Sequence, residues 1–286
     1  APNRPATDHR VHDHDDGWRR HVTTVGRVGG AWRFPVKSLQ GEAVEGLTFD
    51  AAGAVGDRVW GIVDRATGKV LTAKRRGALL TAAARLDGDG TVVLTLPGGA
   101  EHVAGDPGTD AALSAWLDRD VTLARPPAES TPYELTMDPT DDGSEVWDFA
   151  TPAGSFVDLA AAHLLTDASL AAARALHPGG DWDVRRFRPS LLVEVGDIEV
   201  GDAEGAGTAG FVEDAWVGGV VHCGGAGFAP FMPTPRCAMP TRAQPGLARD
   251  TEVSRTLTER HANNLGVYAQ IHAPGSVRVG DPVTLA

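Results

Sequence analysis

The sequence predicts a mainly β fold with helical additions, an α+β fold, on the strength of three observations. Short segments rich in valine, threonine and leucine recur along the chain, as in GTVVLTL and SVRVGDPVTLA. Turn formers such as RATGK and DGDG separate these segments, which is typical of antiparallel strands. Apolar residues at helical spacing are confined to a few short stretches, so helices are expected to be additions to the sheets.

The composition narrows the class of protein. The chain has 286 residues, of which 42% are hydrophobic and 22% are charged, as in globular proteins with one large or two ordinary domains. No segment approaches the roughly 18 apolar residues of a membrane-spanning helix. The formal charge of −12 argues against general binding to nucleic acid or to an anionic membrane. Because no charged-then-apolar leader opens the sequence, we expect a cytoplasmic protein.

The first part of the chain divides into a polar tail and a strand-rich domain. Residues 1–22 contain four histidines among several aspartates and lack apolar periodicity, so a disordered tail is expected. Residues 23–124 are predicted to form an N-terminal β domain in which Asp64–Val70 is a hairpin. A helix is expected to follow Asp106 and Pro107, since apolar residues then recur at helical spacing.

The rest of the chain reads as a connection and a second domain. Residues 125–150 are rich in proline, aspartate, serine and threonine, which indicates a connecting segment. Residues 151–286 form the second domain, which is expected to begin with two helices. Asp158 is the predicted cap of the first helix, and Thr166 or Asp167 that of the second. Glycine-interrupted strands follow, and these favour a small barrel or a strongly bent sheet.

Cys237 is the main candidate for chemistry. It lies in a proline-rich loop beside Arg236, and a neighbouring cation favours the thiolate, the form that ligates soft metals or attacks electrophiles. Cys223 ends an apolar run and is expected to be a small buried side chain. Two cysteines are too few for a disulfide scaffold, a four-cysteine zinc site or a cysteine-ligated iron–sulfur cluster.

Three arginines, Arg185, Arg186 and Arg188, occur within four residues beside a proline. Such an array could bind phosphate or carboxylate, although a solvated surface face is the ordinary explanation. The sequence lacks the P-loop, Cys-x-x-Cys and nucleophile-elbow motifs, so phosphate-loop, thiol redox and serine hydrolase chemistry are not indicated. Its motifs do not support pyridoxal phosphate binding either.

Several segments, taken in order, resemble a known family. FPVKSLQG (34–41), GDRVWGIVD (56–64) and LTAKRRGAL (71–79) resemble the N-terminal barrel domain that precedes MOSC domains. Four further segments resemble the MOSC domain itself, which is named for the C-terminal part of molybdenum-cofactor sulfurase: RRFRPSLLVE, FVEDAW, PTPRCAMPT and VGDPV. The resemblance implies an N-terminal β-barrel-like domain followed by a MOSC β-barrel domain.

The resemblance also implies a cofactor and the residues that hold it. Family members similar to the mitochondrial amidoxime-reducing component bind molybdenum through a pterin dithiolene and one cysteine, which Cys237 matches. Four residues match positions that hold the pterin phosphate and ring system: Lys37, Ser38, Arg58 and Arg188. Thr166 and Ser169 fall near positions that touch the cofactor, but helix capping already gives them a structural role.

Two positions depart from the family pattern. Ser190 stands two residues after the arginine of FRP, where asparagine is common, and Leu39 follows PVKS, where a small or polar residue is frequent. Serine makes fewer hydrogen bonds than an amide, so the hold on the cofactor or the choice of substrate is expected to differ. Glu213 and Asp214 in FVEDAW are family-like, and we favour a structural role for them.

The function implied by the resemblance is that of a molybdenum-cofactor-dependent oxidoreductase which reduces N-oxygenated small molecules of the hydroxylamine or amidoxime type. Two cysteines cannot hold a four-thiolate cluster, so electrons would come from an external ferredoxin, flavoprotein or cytochrome. Two alternatives stay open: a non-catalytic carrier of molybdenum cofactor or sulfur, and a diverged, cofactor-free biosynthetic enzyme, prompted by Ser190. The site is expected where the two domains meet.

Overall fold

The fold is that of a computed structural model, which describes residues 23–136, 144–195 and 210–286. The predicted tail over residues 1–22 lies outside these ranges. The helices in the described ranges are α1 (Pro107–Leu117), α2 (Asp167–Leu176) and α3 (Glu252–Arg260), and none of them is long and apolar enough to cross a bilayer. The strands are β1 (Thr23–Arg33), β2 (Glu42–Val44), β3 (Gly46–Asp50), β4 (Gly53–Ala54), β5 (Gly61–Asp64), β6 (Ala83–Leu86), β7 (Val92–Thr95), β8 (Glu101–Val103), β9 (Val121–Ala124), β10 (Pro132–Thr136), β11 (Val146–Ala150), β12 (Ala162–Thr166), β13 (Leu191–Val195), β14 (Val221–Cys223), β15 (Ala226–Pro235), β16 (Asn264–Ala273), β17 (Gly275–Arg278) and β18 (Pro282–Leu285).

Seven strands close a barrel, which confirms the predicted MOSC barrel. Their order is β13-β12-β16-β15-β14-β18-β1, and β1 pairs back onto β13. Every pairing is antiparallel except that of β12 with β13. Val28, Leu164, Phe228 and Val267 are among the fully buried side chains that fill the barrel. At Gly26 a Cβ would meet the Glu194 carbonyl oxygen at 2.2 Å, so a glycine is needed where β1 bends between its two partners.

The first strand belongs to this barrel, although its sequence position is in the N-terminal half. β1 pairs with β18 from Thr23 to Arg27 and with β13 from Gly26 to Ala31. The chain then leaves the barrel through β2, and it returns only at β12. The N-terminal half is therefore attached to the barrel by two strands that are far apart in the sequence.

The N-terminal half contains small sheets around a separate apolar core. Strands β6, β7 and β8 form one sheet and β5 pairs with β9, while Leu80, Leu94 and Leu113 are fully buried between these sheets and α1. Helix α1 begins at Pro107 as predicted. The predicted hairpin is also present, because Val63 bridges Val70 in antiparallel fashion.

Two predictions about local structure are wrong. Asp158 does not cap a helix, since residues 162–166 form the fully buried strand β12 between β13 and β16. Long-range pairing thus overrides the helical propensity of LAAAHLL. The segment 125–150 is not only a connection, because β10 and β11 form a hairpin within it. The cap of α2 is confirmed: the Thr166 hydroxyl accepts a hydrogen bond from the Ser169 backbone N–H.

Candidate functional site

One pocket collects most of the candidate residues where the two halves of the chain meet. It is an open pocket with a cavity volume of about 70 Å³. Six residues expected at a cofactor site line it: Lys37, Ser38 and Arg58 from the N-terminal half, and Arg188, Ser190 and Cys237 from the C-terminal half. We call it the Cys237 pocket.

The backbone is strained at three of these residues. Ser38, Arg58 and Arg188 have φ angles of 70°, 51° and 54°, in the left-handed region that non-glycine residues seldom occupy. Only six non-glycine residues in the described ranges have positive φ, and half of them line this pocket. Such conformations persist only where the surrounding structure enforces them, and they cluster at functional sites.

The PVKS and GDR segments are joined by backbone hydrogen bonds. The Lys37 N–H donates to the Trp60 carbonyl at 2.8 Å, and the Arg58 N–H donates to the Phe34 carbonyl at 2.8 Å. The Asp57 carboxylate accepts from the Phe34 N–H at 2.7 Å and also pairs with the Arg58 guanidinium. Lys37 and Arg58 are therefore held on one wall, although they are far apart in the sequence.

Arg188 brings a cation to this wall from the other half of the chain. Its Nη1 donates to the Leu39 carbonyl at 2.8 Å, and its guanidinium lies 4.0 Å from the centre of the Phe34 ring. Burial and the neighbouring Arg58 lower the pKa of Arg188 to about 9. The Leu39 side chain is fully buried in the apolar core, so this departure from the family pattern reaches the pocket through its backbone carbonyl.

Asp158 joins two buried lysines. Lys37 Nζ donates to its Oδ1 at 2.6 Å, and Lys74 Nζ lies 3.1 Å from its Oδ2. The Tyr133 ring centre is 5.0 Å from the Lys37 ammonium and 4.5 Å from that of Lys74. Burial lowers the pKa of Lys37 to about 8. Although burial opposes its charge too, the two lysines hold the pKa of Asp158 well below its usual range.

Cys237 lines the pocket from the loop after β15. Its thiol is free and half-buried. The loop is fixed by Arg236, whose backbone N–H donates to the Asn263 carbonyl at 2.8 Å and whose carbonyl accepts from the Asn263 amide at 2.8 Å. The Arg236 guanidinium donates to the Phe187 carbonyl at 3.0 Å, but its buried Nε has no hydrogen-bond partner in the described parts of the chain. Burial lowers the pKa of Arg236.

His163, Ser190 and Tyr268 complete the wall from the barrel side. The Ser190 hydroxyl accepts from the His163 backbone N–H at 3.2 Å. Burial, and secondarily Arg236, lowers the pKa of His163 to about 3, so its ring is neutral. This ring meets that of Tyr268 edge-on, with 5.8 Å between the centres. Burial also raises the pKa of Tyr268, which keeps its hydroxyl protonated.

Thr166 and Ser169 lie elsewhere, contrary to the expectation that they approach the cofactor. Both side chains are fully buried, and their hydroxyls donate to the Glu213 carboxylate at 2.7 and 2.5 Å. We call these three residues the Glu213 cluster. It lies between α2 and the short helical turn 212–216, and its members do not line the Cys237 pocket. The structural role favoured for Glu213 is thus what the structure shows.

The arginine array of residues 185–188 also divides. Arg186 is fully buried, and its guanidinium donates to three carbonyls of the 240–248 segment and pairs with Asp181. Arg185 is exposed and pairs with Asp183. Only Arg188 reaches the Cys237 pocket, because successive side chains of this turn point in different directions. Cys223 is fully buried in β14, as expected.

Sequence reasoning missed several residues of the site. Lys74 and Arg236 occur within the segments LTAKRRGAL and PTPRCAMPT. Their positive charge was the only sign in the sequence that they could belong to the site. Asp158 was hidden by the helical pattern that follows it. His163 and Tyr268 lie opposite each other on the paired strands β12 and β16, and no local sequence pattern could have shown this pairing.

Family models match both halves of the chain. Residues 25–112 match the MOSC N-terminal beta barrel domain, and residues 152–284 match the MOSC domain. The chain belongs to the MOSC family. No curated protein matches this MOSC protein significantly.

Two solved structures are similar to this MOSC protein at low identity. The YUAD protein from Bacillus subtilis has 9% identity and a TM-score of 0.47, and the match covers 92% of this chain and 96% of that one. YiiM from Geobacillus stearothermophilus has 15% identity and a TM-score of 0.30, with 44% of this chain and 54% of that one covered.

The charge of the pocket suits the cofactor with which MOSC domains are associated. Four cations line it against one carboxylate; with Lys74 and Asp57 directly behind the wall, five cations face two carboxylates. The described residues contain no cluster of three or more histidine, cysteine or acidic side chains that could hold a metal. A metal at Cys237 would therefore need further ligands of its own, as in a dithiolene, while the surplus cations suit a phosphate.

Proposed function

We propose that this MOSC protein is a molybdenum-cofactor-dependent oxidoreductase that reduces N-oxygenated small molecules of the hydroxylamine or amidoxime type. Electrons would come from an external ferredoxin, flavoprotein or cytochrome. The observation that supports the proposal best is a free, half-buried thiol in a pocket with a surplus of buried cations, within a chain whose net charge is −12. A soft metal requires the free thiol as a ligand, and a cofactor phosphate requires the buried cations.

Each pocket residue would have a definite task in holding the cofactor. Cys237 would ligate the metal as thiolate, and Lys37, Arg58 and Arg188 would bind the phosphate and ring system. Ser38 would contribute its hydroxyl from the strained turn. When bound, the cofactor supplies a two-electron reduction in which the substrate loses its oxygen atom. The rigid wall around Arg188 fits this task, because ligands held by pre-ordered groups lose less entropy on binding.

The reduction also consumes protons. One N–OH bond breaks, and two electrons and two protons complete an N–H bond and a water molecule. Tyr268 and His163 are both neutral at pH 7 because burial shifts their pKa values in opposite directions. The Tyr268 hydroxyl is thus a neutral hydrogen-bond donor suited to orient the substrate oxygen. Asp158, whose side chain is about one-third exposed, contacts both buried lysines. Of these, Lys37 has its pKa lowered by burial to about 8, so it can release and take up a proton near neutral pH.

The test compares the two cysteines. Full-length protein from a host that makes molybdenum cofactor is assayed for molybdenum and pterin, and for reduction of benzamidoxime by reduced methyl viologen. We expect Cys237→Ser to lose bound molybdenum and at least about a hundredfold in kcat/KM, since it removes a metal ligand. The matched variant Cys223→Ser should keep both, because the buried Cys223 lies in the barrel core.

The same assay separates the alternatives. Molybdenum and pterin bound at one equivalent without reduction of any N-oxygenated substrate would replace the reductase by a cofactor carrier. Protein that binds neither, even after reconstitution, would favour the diverged, cofactor-free enzyme. Equal turnover by Cys237→Ser and the parent would contradict the proposed role of the thiol.

A further inference from the structure

A second cavity lies on the far side of Arg188 from Cys237. Its apolar wall is made by Trp32, Phe34 and Pro189, and Ala43 lies at its exposed rim. Arg188 lines both cavities. Cys237, however, belongs to the first cavity alone. We call the second cavity the Trp32 pocket.

The size of the Trp32 pocket matches one aromatic ring. Its volume is about 140 Å³, and an apolar protein cavity of about 150 Å³ holds benzene. Trp32 and Phe34 line it, and aromatic side chains favour stacked or edge-on contacts with an aromatic ligand. A ligand with one six-membered ring would therefore fill this pocket.

The polar groups of the Trp32 pocket favour an anionic substituent on that ring. Two guanidinium groups line it in the described parts of the chain, those of Arg185 and Arg188. Because Arg185 is already paired with the Asp183 carboxylate, Arg188 is the cation left for a ligand. Arg188 uses only Nη1 in its hydrogen bond to Leu39, so Nε and Nη2 are left for a ligand. A guanidinium with two N–H groups to offer binds a carboxylate in bidentate fashion.

Gln244 supplies a further donor and acceptor. The residue is only 8% exposed and lines the pocket. Its backbone is fixed by two hydrogen bonds to Leu247. The side-chain amide is therefore positioned to donate a hydrogen bond to a polar ligand in the pocket.

We propose that the Trp32 pocket is a second small-molecule site, which binds an aromatic carboxylate with a single ring. The ring lies against Trp32 and Phe34, and the carboxylate accepts hydrogen bonds from Arg188 and Gln244. The two proposed sites share Arg188, but none of these contacts requires a cofactor in the Cys237 pocket, so the second site can be tested on protein that lacks the cofactor.

The test is calorimetric titration of the full chain with sodium benzoate. Benzamide, which has the same ring without the charge, is expected to bind at least about tenfold more weakly, since charge-assisted hydrogen bonds are about twice as strong as neutral ones. Ala43→Leu places a larger side chain at the rim of the pocket and should weaken benzoate binding at least about tenfold. Ala51→Leu, at an exposed turn outside the pocket, is the matched control and should bind benzoate as the parent does.

Three outcomes would overturn the proposal. The first is no benzoate binding at millimolar concentration. The second is equal affinity for benzoate and benzamide. The third is benzoate binding that survives Ala43→Leu but is lost in Lys37→Met or on addition of sulfate, which would place benzoate in the Cys237 pocket. Unchanged thermal unfolding of Ala43→Leu shows that loss of binding is not loss of fold. The reductase proposal is untouched by each result.

Discussion

The Cys237 pocket and the Glu213 cluster are both buried and polar, but they differ in how their polar groups are satisfied. In the Glu213 cluster, two hydroxyls and one carboxylate complete each other's hydrogen bonds without reaching solvent. In the Cys237 pocket, four cations line the space against one carboxylate, so the positive charge is not balanced within it.

The difference distinguishes a structural polar group from one that awaits a ligand. A buried group that is satisfied within the chain stabilises the fold, whereas a buried surplus charge is costly until something binds it. Thr166 and Ser169 match cofactor positions only approximately by sequence, and their hydrogen bonds to Glu213 account for them. By contrast, a single lining carboxylate shares the Cys237 pocket with four cations: Lys37, Arg58, Arg188 and Arg236. The following variants test this distinction.

Glu213→Ala should have the largest effect on stability. It leaves the Thr166 and Ser169 hydroxyls buried without their acceptor and opens a cavity, so we expect the free energy of unfolding to fall by about 3 kcal/mol. Urea denaturation measures the loss. Glu252→Ala, at an exposed position of α3, is the matched control and should change stability by less than about 0.5 kcal/mol. Sulfate affinity should stay unchanged; if it falls in Glu213→Ala, the two regions are not separable.

Asp158→Asn should lower stability while it strengthens anion binding. The two buried ammonium groups of Lys37 and Lys74 lose their shared carboxylate, so we expect a loss of about 2 kcal/mol, moderated by the partial exposure of Asp158. Sulfate should bind several-fold more tightly by calorimetry, because the positive surplus grows by one. Weaker sulfate binding would show that Asp158 orders the site rather than neutralises it.

The dependence of the free energy of unfolding on pH below about 5 should also change in Asp158→Asn. The pKa of Asp158 in the folded protein lies below the unfolded value of about 4, so its stabilising contribution is complete above that value and is lost as the pH falls below it. Asp158→Asn should therefore show a smaller loss of stability between about pH 5 and pH 2 than the parent does.

Arg236→Met should separate binding from stability. This guanidinium has no carboxylate partner among the described residues and keeps one unbonded Nε. Its removal should weaken sulfate binding about tenfold, while the free energy of unfolding stays constant or rises. A stability loss above about 1 kcal/mol would assign Arg236 a structural role like that of Arg186.

The smallest expected effect is a dependence of sulfate affinity on pH. The pKa of Lys37 is lowered by burial to about 8, so this cation is present at pH 6.5 and largely lost at pH 8.5. Sulfate itself stays dianionic, and its affinity should fall about threefold over that interval. Lys37→Met should bind sulfate more weakly and should not vary with pH in this range; a variant that keeps the slope would assign it to another group.

Much of the candidate site could be predicted because its motifs are compact. PVKS, GDR, FRP and PTPRC each carry a residue that lines the Cys237 pocket, and the chemistry of thiol and guanidinium indicates its partners without coordinates. The closed barrel was likewise expected from glycine-interrupted strands. These features could be predicted because each depends on residues that are close together in the sequence.

The remaining features depend on contacts between distant residues. Asp158 precedes LAAAHLL, a good local helix pattern, yet β12 forms there because it lies between β13 and β16. All five residues of β11 are exposed, so no apolar alternation revealed the hairpin β10–β11. Ser169 received two interpretations, and only the position of Glu213, 44 residues away along the chain, decides between them.

The place of β1 determines when the barrel can close during synthesis. β1 is synthesised before its partners β13 and β18, which follow it by more than 150 residues. The N-terminal half is thus inserted between two strands of one barrel, and it can fold first while both edges of β1 in the barrel are still unpaired. A fragment that begins at β12 would lack β1, and its two unpaired strand edges would be prone to pair with other chains.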